Sequence, residues 1–166
     1  SPVSSALPLL GSPEGDMMAV EIRGLDKVIK KLDKIGGPGA LKRPMTKAAA
    51  HVLNVIAVYP PATSANTPPG NNGYSWYERG FGTRTVTGQA FPTSETLGRR
   101  WTTEVSADGT RGVVGNNASY GPYVQSAEKQ AAFHARRGWV TDEQVAEKEA
   151  DKVVGFFDDE IRDLTQ

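Results

Sequence analysis

Apolar and polar side chains alternate in Ala19-Val20-Glu21-Ile22-Arg23, which predicts a short, half-buried strand. Gly24 breaks that pattern. Leu25, Val28, Ile29, Leu32 and Ile35 then recur at helical spacing, with Lys27, Lys30, Lys31 and Lys34 turned outward. Gly36-Gly37-Pro38-Gly39 predicts the end of that helix, because glycine permits a left-handed cap and proline cannot continue the hydrogen-bond ladder. A second helix is predicted from about Pro44. Its buried stripe comprises Met45, Ala48, Ala49, Val52, Val55, Ile56 and Tyr59, and Pro60-Pro61 stops it.

Regular periodicity then fails from Pro60 to Leu97, a stretch rich in proline, glycine and aromatic residues. Irregular connections this long are uncommon inside a domain and usually carry function or disorder. Alternation returns at Arg99–Ser106, with Trp101, Thr103 and Val105 on one face. Asp108-Gly109 marks a hairpin, and Arg111–Gly115 is the return strand. Asn116-Asn117 reads as a turn, followed by the short aromatic element Tyr120-Gly121-Pro122-Tyr123-Val124. Thr141-Asp142-Glu143-Gln144 opens the last helix as a capping box. Ala146, Ala150, Val153, Phe157, Ile161 and Leu164 form its apolar stripe. The order strand, helix, helix, long loop, hairpin, helix predicts an α+β fold. In it a small antiparallel sheet packs against two or three helices, with one long irregular loop at about 60–97. Residues 1–17, rich in serine, proline and glycine, read as a flexible arm or an expression remnant. Residues 18–166 read as a single domain.

Composition alters this picture little. Hydrophobic residues make up 38% of the 166, enough for one domain with its own core. There is no cysteine, so disulfides, thiolate metal sites and a cysteine nucleophile are excluded. No apolar run approaches the length of a membrane span, and no membrane partner is expected. Net charge is zero, but unevenly spread. Val20–Lys47 holds eight basic and three acidic residues, and Thr141–Gln166 three basic and nine acidic. Such halves attract each other within a subunit or between subunits.

The chain is poor in reactive constellations. His51 and His134 are the only histidines, and neither has a metal-ligand or catalytic partner at sequence spacing. There is no phosphate-cradling glycine loop, dinucleotide fingerprint or nucleophile elbow. No catalytic residue, metal or cofactor is therefore expected. Tyr74–Arg84 mixes aromatics with arginines, as both protein interfaces and single-strand-binding surfaces do. Zero net charge favours the interface, with Trp76, Tyr77, Arg79, Phe81, Arg84, Tyr120 and Tyr123 as its candidate residues. Arg99, Arg100, Arg136 and Arg137 are candidates for the basic lining of a DNA channel.

Several segments together resemble a family of tail-component proteins of long-tailed bacteriophages, typified by the tenth gene product of a lambdoid siphophage. These are Val20-Glu21-Ile22-Arg23-Gly24-Leu25-Asp26 before a lysine-rich helix, an alanine-rich helix ending at Tyr59-Pro60, Val113-Val114-Gly115 before Tyr120-Gly121-Pro122-Tyr123-Val124-Gln125, and a closing amphipathic helix. Gln125-Ser126 departs from the family's usual Glu-Phe-Gly-Thr. The 60–97 stretch replaces a short link, of which Thr96-Leu97-Gly98-Arg99 resembles a remnant. The resemblance implies a structural virion subunit of the head–tail joint, made in the host cytoplasm: a neck, tail-completion or tail-terminator protein. Its partners would be copies of itself in a ring (often sixfold), the neighbouring neck and tail-tube proteins, and DNA passing through without sequence recognition. Two rival expectations come from other classes: a nucleic-acid-binding module using the aromatic–arginine loop, and an enzyme with a carboxylate site.

Overall fold

In the computed structural model, two helices lie across one face of an antiparallel sheet. The structure describes residues 3–5, 18–23, 26–37, 39–61, 83–86, 89–92 and 95–166. The elements run β1 (Val3–Ser5), β2 (Met18–Ile22), α1 (Asp26–Gly36), α2 (Lys42–Ile56), β3 (Thr83–Val86), β4 (Gln89–Pro92), α3 (Glu95–Gly98), β5 (Trp101–Val105), β6 (Gly112–Asn116), α4 (Gly121–Gln125), α5 (Ala132–Arg136) and α6 (Asp142–Thr165). The main sheet has the order β1-β2-β6-β5, antiparallel throughout, and β3 and β4 form a separate hairpin. The class is α+β, as the alternation of patterns predicts.

The core lies between sheet and helices. Met18, Val20 and Ile22 alternate toward it from β2, and Val114, directly opposite Val20, joins them from β6. Met45, Ala48, Ala49, Val52 and Ile56 meet them from α2, and Val145, Ala146, Val153 and Phe157 from α6. Both stripes follow the sequence reading closely. The small Ala48-Ala49 pair lets α6 approach α2. The capping box at Thr141 is complete: Thr141 Oγ1 accepts from the Gln144 N–H at 3.1 Å, and Gln144 Oε1 from the Thr141 N–H at 2.9 Å. Gly37, at φ +69°, makes the left-handed end of α1.

The structure corrects the reading in several places. β2 is buried at every position rather than half-buried, and it runs in the sheet interior between β1 and β6. Its one charged side chain, Glu21, is 3% exposed and accepts from Arg111 Nε at 2.8 Å. Val3–Ser5 lies in the stretch read as a flexible arm, yet it pairs with Val20–Ile22 as the sheet's edge. α2 ends at Ile56 rather than Tyr59. The residue before a proline is pushed out of the helical region, and Tyr59 precedes Pro60. The 60–97 stretch is not irregular throughout: β3, β4 and α3 lie in it. The β-branched Thr83, Thr85 and Val86 favour a strand, and only two residues separate β3 from β4. At the far ends of the apolar stripes, Ile35 and Leu164 are 40% and 42% exposed.

Candidate interaction surface

A second, smaller core sits beyond the carboxyl end of α2. Tyr59, Leu97, Ala118, Val124 and Trp139 are buried together there, with the Tyr59 and Trp139 rings 4.9 Å apart. Polar side chains tie the segments into it. Asn116, fully buried, donates from Nδ2 to the Leu97 carbonyl at 2.9 Å and accepts from the Ala118 N–H at 2.8 Å. Tyr59 Oη accepts from the Gly98 N–H at 2.9 Å. Gln125, also fully buried, donates from Nε2 to the carbonyls of Ile56 and Val140. Gln130 Nε2 donates to Val124 and Trp139 at 2.7 and 3.0 Å. Each buried carbonyl satisfied in this way stiffens the chain around it.

This scaffold carries an aromatic and basic surface. Tyr120, Tyr123 and Phe133 are 41%, 56% and 43% exposed. The Ala131 N–H donates to the Tyr123 carbonyl at 2.8 Å, which joins α4 to the start of α5. Arg137 stacks over the Phe133 ring at 5.1 Å, and the His134 ring lies 4.1 Å from that of Phe133. Burial, and then the charge of Arg137, hold His134 below its usual pKa. Arg100 enters the same end through its carbonyl, which accepts from the Asn117 N–H at 3.0 Å. A groove of about 420 Å³ runs alongside, between the end of α2 and the start of α6, lined by Val55, Val58, Tyr59 and Val140 among others.

Of the residues singled out in the sequence, Tyr120, Tyr123, Arg99, Arg100, Arg136 and Arg137 are all brought to this end of the molecule. Arg84 stands on β3, apart from the main sheet. Trp76, Tyr77, Arg79 and Phe81 lie outside the described residues. Sequence reasoning missed Phe133, Asn116 and Gln125. The short run Ala132-Phe133-His134-Ala135 gives no periodicity, and nothing in a sequence separates a buried amide from a solvated one. His51 does have a carboxylate partner, but it comes from α6, not from the adjacent turn of α2. His51 Nε2 lies 2.8 Å from Glu149 Oε2, with Phe156 against the ring. Among the described residues, no three His, Asp or Glu side chains gather as a metal site would require, and no helix is long and apolar enough to cross a membrane. No protein-family model, curated protein or solved structure matches the chain.

Proposed function

We propose that this protein is a structural subunit of the bacteriophage virion, acting as one copy in a ring at the head–tail joint: a neck, tail-completion or tail-terminator component. The observation that carries the reading is the exposed set Tyr120, Tyr123 and Phe133, held with Arg99, Arg100, Arg136 and Arg137 on one stiffened end of an α+β scaffold. Tyrosine and arginine dominate the energetics of protein interfaces, and each large ring buried there contributes roughly 1.5–3 kcal/mol. The exposed Arg99, Arg100 and Arg136 add a weak positive field suited to DNA passing without base recognition. Two segments of the tail-component resemblance, Val113–Gly115 and Tyr120–Gln125, lie on β6 and at α4, and the second supplies Tyr120 and Tyr123.

Light scattering and electron-microscopic class averages of the purified chain, alone and with head–tail joint proteins, test the reading. Closed rings or stacked rings are expected. Tyr123→Ala with Phe133→Ala should shift the population to monomer while leaving the fold intact, since both side chains are outside the core. A chain that stays monomeric with every such partner overturns the proposal. Salt-sensitive retention of single-stranded DNA, lost in Arg136→Ala with Arg137→Ala, would instead mark a nucleic-acid-binding module.

A further inference from the structure

α1 and α6 pack side by side. The solvent face of α1 is basic apart from Asp33, and that of α6 carries a line of acids beside the exposed Lys148, Lys152 and Arg162. On α1, Lys27, Lys30, Lys31 and Lys34 are all exposed and recur every three or four residues. They form one stripe about 10 Å long. On α6, Glu143, Glu147, Asp151 and Asp158 are exposed at spacings of four, four and seven, forming a stripe of about 22 Å. None of these eight makes an ion pair with another described residue, although their helices touch. The α6 acids that do find partners are others: Glu149 with His51, Glu160 with Arg43 and Asp159 with Arg162.

We propose that the lysine stripe of α1 is the docking surface for the α6 carboxylate stripe of a second copy of this chain. Charge complementarity selects that occupant. A polyanion laid along α1 would also meet the neighbouring acidic stripe and be repelled by it. A second copy turns both stripes to use, and the chain's nineteen basic and nineteen acidic residues balance. Docking the lysine stripe on a second lysine stripe, or the carboxylate stripe on a second carboxylate stripe, sets like charges opposite each other, so either stripe paired with itself is disfavoured. Within the ring proposed above, the α1–α6 contact runs head-to-tail rather than as a reciprocal two-fold pair. A pair joined in this way leaves one stripe of each sign free, and the contact repeats until a ring closes. The inference rests on self-assembly as proposed above and adds which helices meet within the ring. Exposed ion pairs are individually weak and screened, so the stripes set register and encounter.

Sedimentation equilibrium of the full chain at about 25 mM and about 500 mM NaCl reads the contact, and the apparent Kd should rise at least roughly tenfold with salt. K27E/K30E/K31E and E147K/D151K/D158K should each abolish self-association. An equimolar mixture of the two variants should restore it, because each then offers the stripe its partner lacks. All six side chains are exposed, and unchanged helical circular dichroism certifies the fold. Association that is unaffected by either reversal overturns the proposal. If such association disappears in Tyr123→Ala, self-assembly stands and only this contact falls. A wild-type chain monomeric at about 1 mM protein and low salt also overturns it, and the experiment with joint proteins then decides the ring independently. Lysine reversal that removes only retention on anionic vesicles or duplex DNA, with self-association unchanged, makes the stripe's partner a polyanion and overturns the proposal.

Discussion

Two aspartates, each hydrogen-bonded to its neighbours, respond to opposite environments. Asp108, at the exposed tip of the β5–β6 hairpin, accepts through Oδ1 from the Thr110 N–H, the Thr110 hydroxyl and the Ser106 hydroxyl. Those donors, the Thr110 N–H first, pull its pKa down to about 2. Asp142 is fully buried in the first turn of α6. Burial pushes its carboxyl up, partly offset by the N–H groups of Ala127 and Glu143. The signs of their stability contributions therefore differ. The Asp108 contribution is present above the unfolded pKa of 3.8 and is lost as pH falls toward about 2. For Asp142 the folded state binds its proton more tightly than the unfolded chain. Stability accordingly declines as pH rises from 3.8 through the raised folded pKa. Urea unfolding from acid to neutral pH should show Asp108→Asn lacking the low-pH fall and Asp142→Asn lacking the decline above it. Neither aspartate's environment was legible in the sequence beyond the Asp108-Gly109 turn. The Ala127 N–H that Asp142 receives comes from fifteen residues away, and no local pattern announces it.

Among the elements, α2, α6 and the hairpin were readable because their signals are local. A stripe at helical spacing, a capping box and an Asp-Gly turn each fit within a few residues. α6 offers two opposite checks on that local chemistry. Thr141→Ala removes the cap acceptor for the Gln144 N–H and should lower stability by about 1 kcal/mol. Gly155→Ala should raise it by up to about 1 kcal/mol, since alanine is the better helix former and a Cβ at this position meets nothing within 4 Å. Thermal melts of both variants read the difference. The illegible elements are those whose reason lies elsewhere in the chain. β1 is three residues long and becomes a strand only by pairing across to β2. Glu21 can lie buried on the outer face of β2 because Arg111, ninety residues on, supplies its partner. Among the described residues β3 and β4 pair only with each other, and proline- and glycine-rich flanks hid their alternation.

For the molecule as a whole, the larger core joins the sheet to α2 and α6, and the smaller one fixes the aromatic end. Phe157 is the largest fully buried side chain in the first. Phe157→Ala should lower the free energy of unfolding by about 3–5 kcal/mol, read by urea denaturation. The candidate surface was only partly legible at this scale. The tyrosines and arginines stood out as residue types, but their gathering at one end depends on Tyr59, Asn116 and Gln125 tying distant segments together. One contact spaces the two layers at the opposite end. Gly109 sits at φ +76° on the hairpin tip, and a Cβ there would fall 2.6 Å from the Lys42 nitrogen and 2.7 Å from the Leu41 carbonyl carbon. The tip of the sheet thus rests directly on the first turn of α2, backbone on backbone. Any side chain at that point would act as a wedge, prising the hairpin from the helix and tilting the strands over the core. The angle between the sheet and its helical cover is thereby set by a single missing carbon.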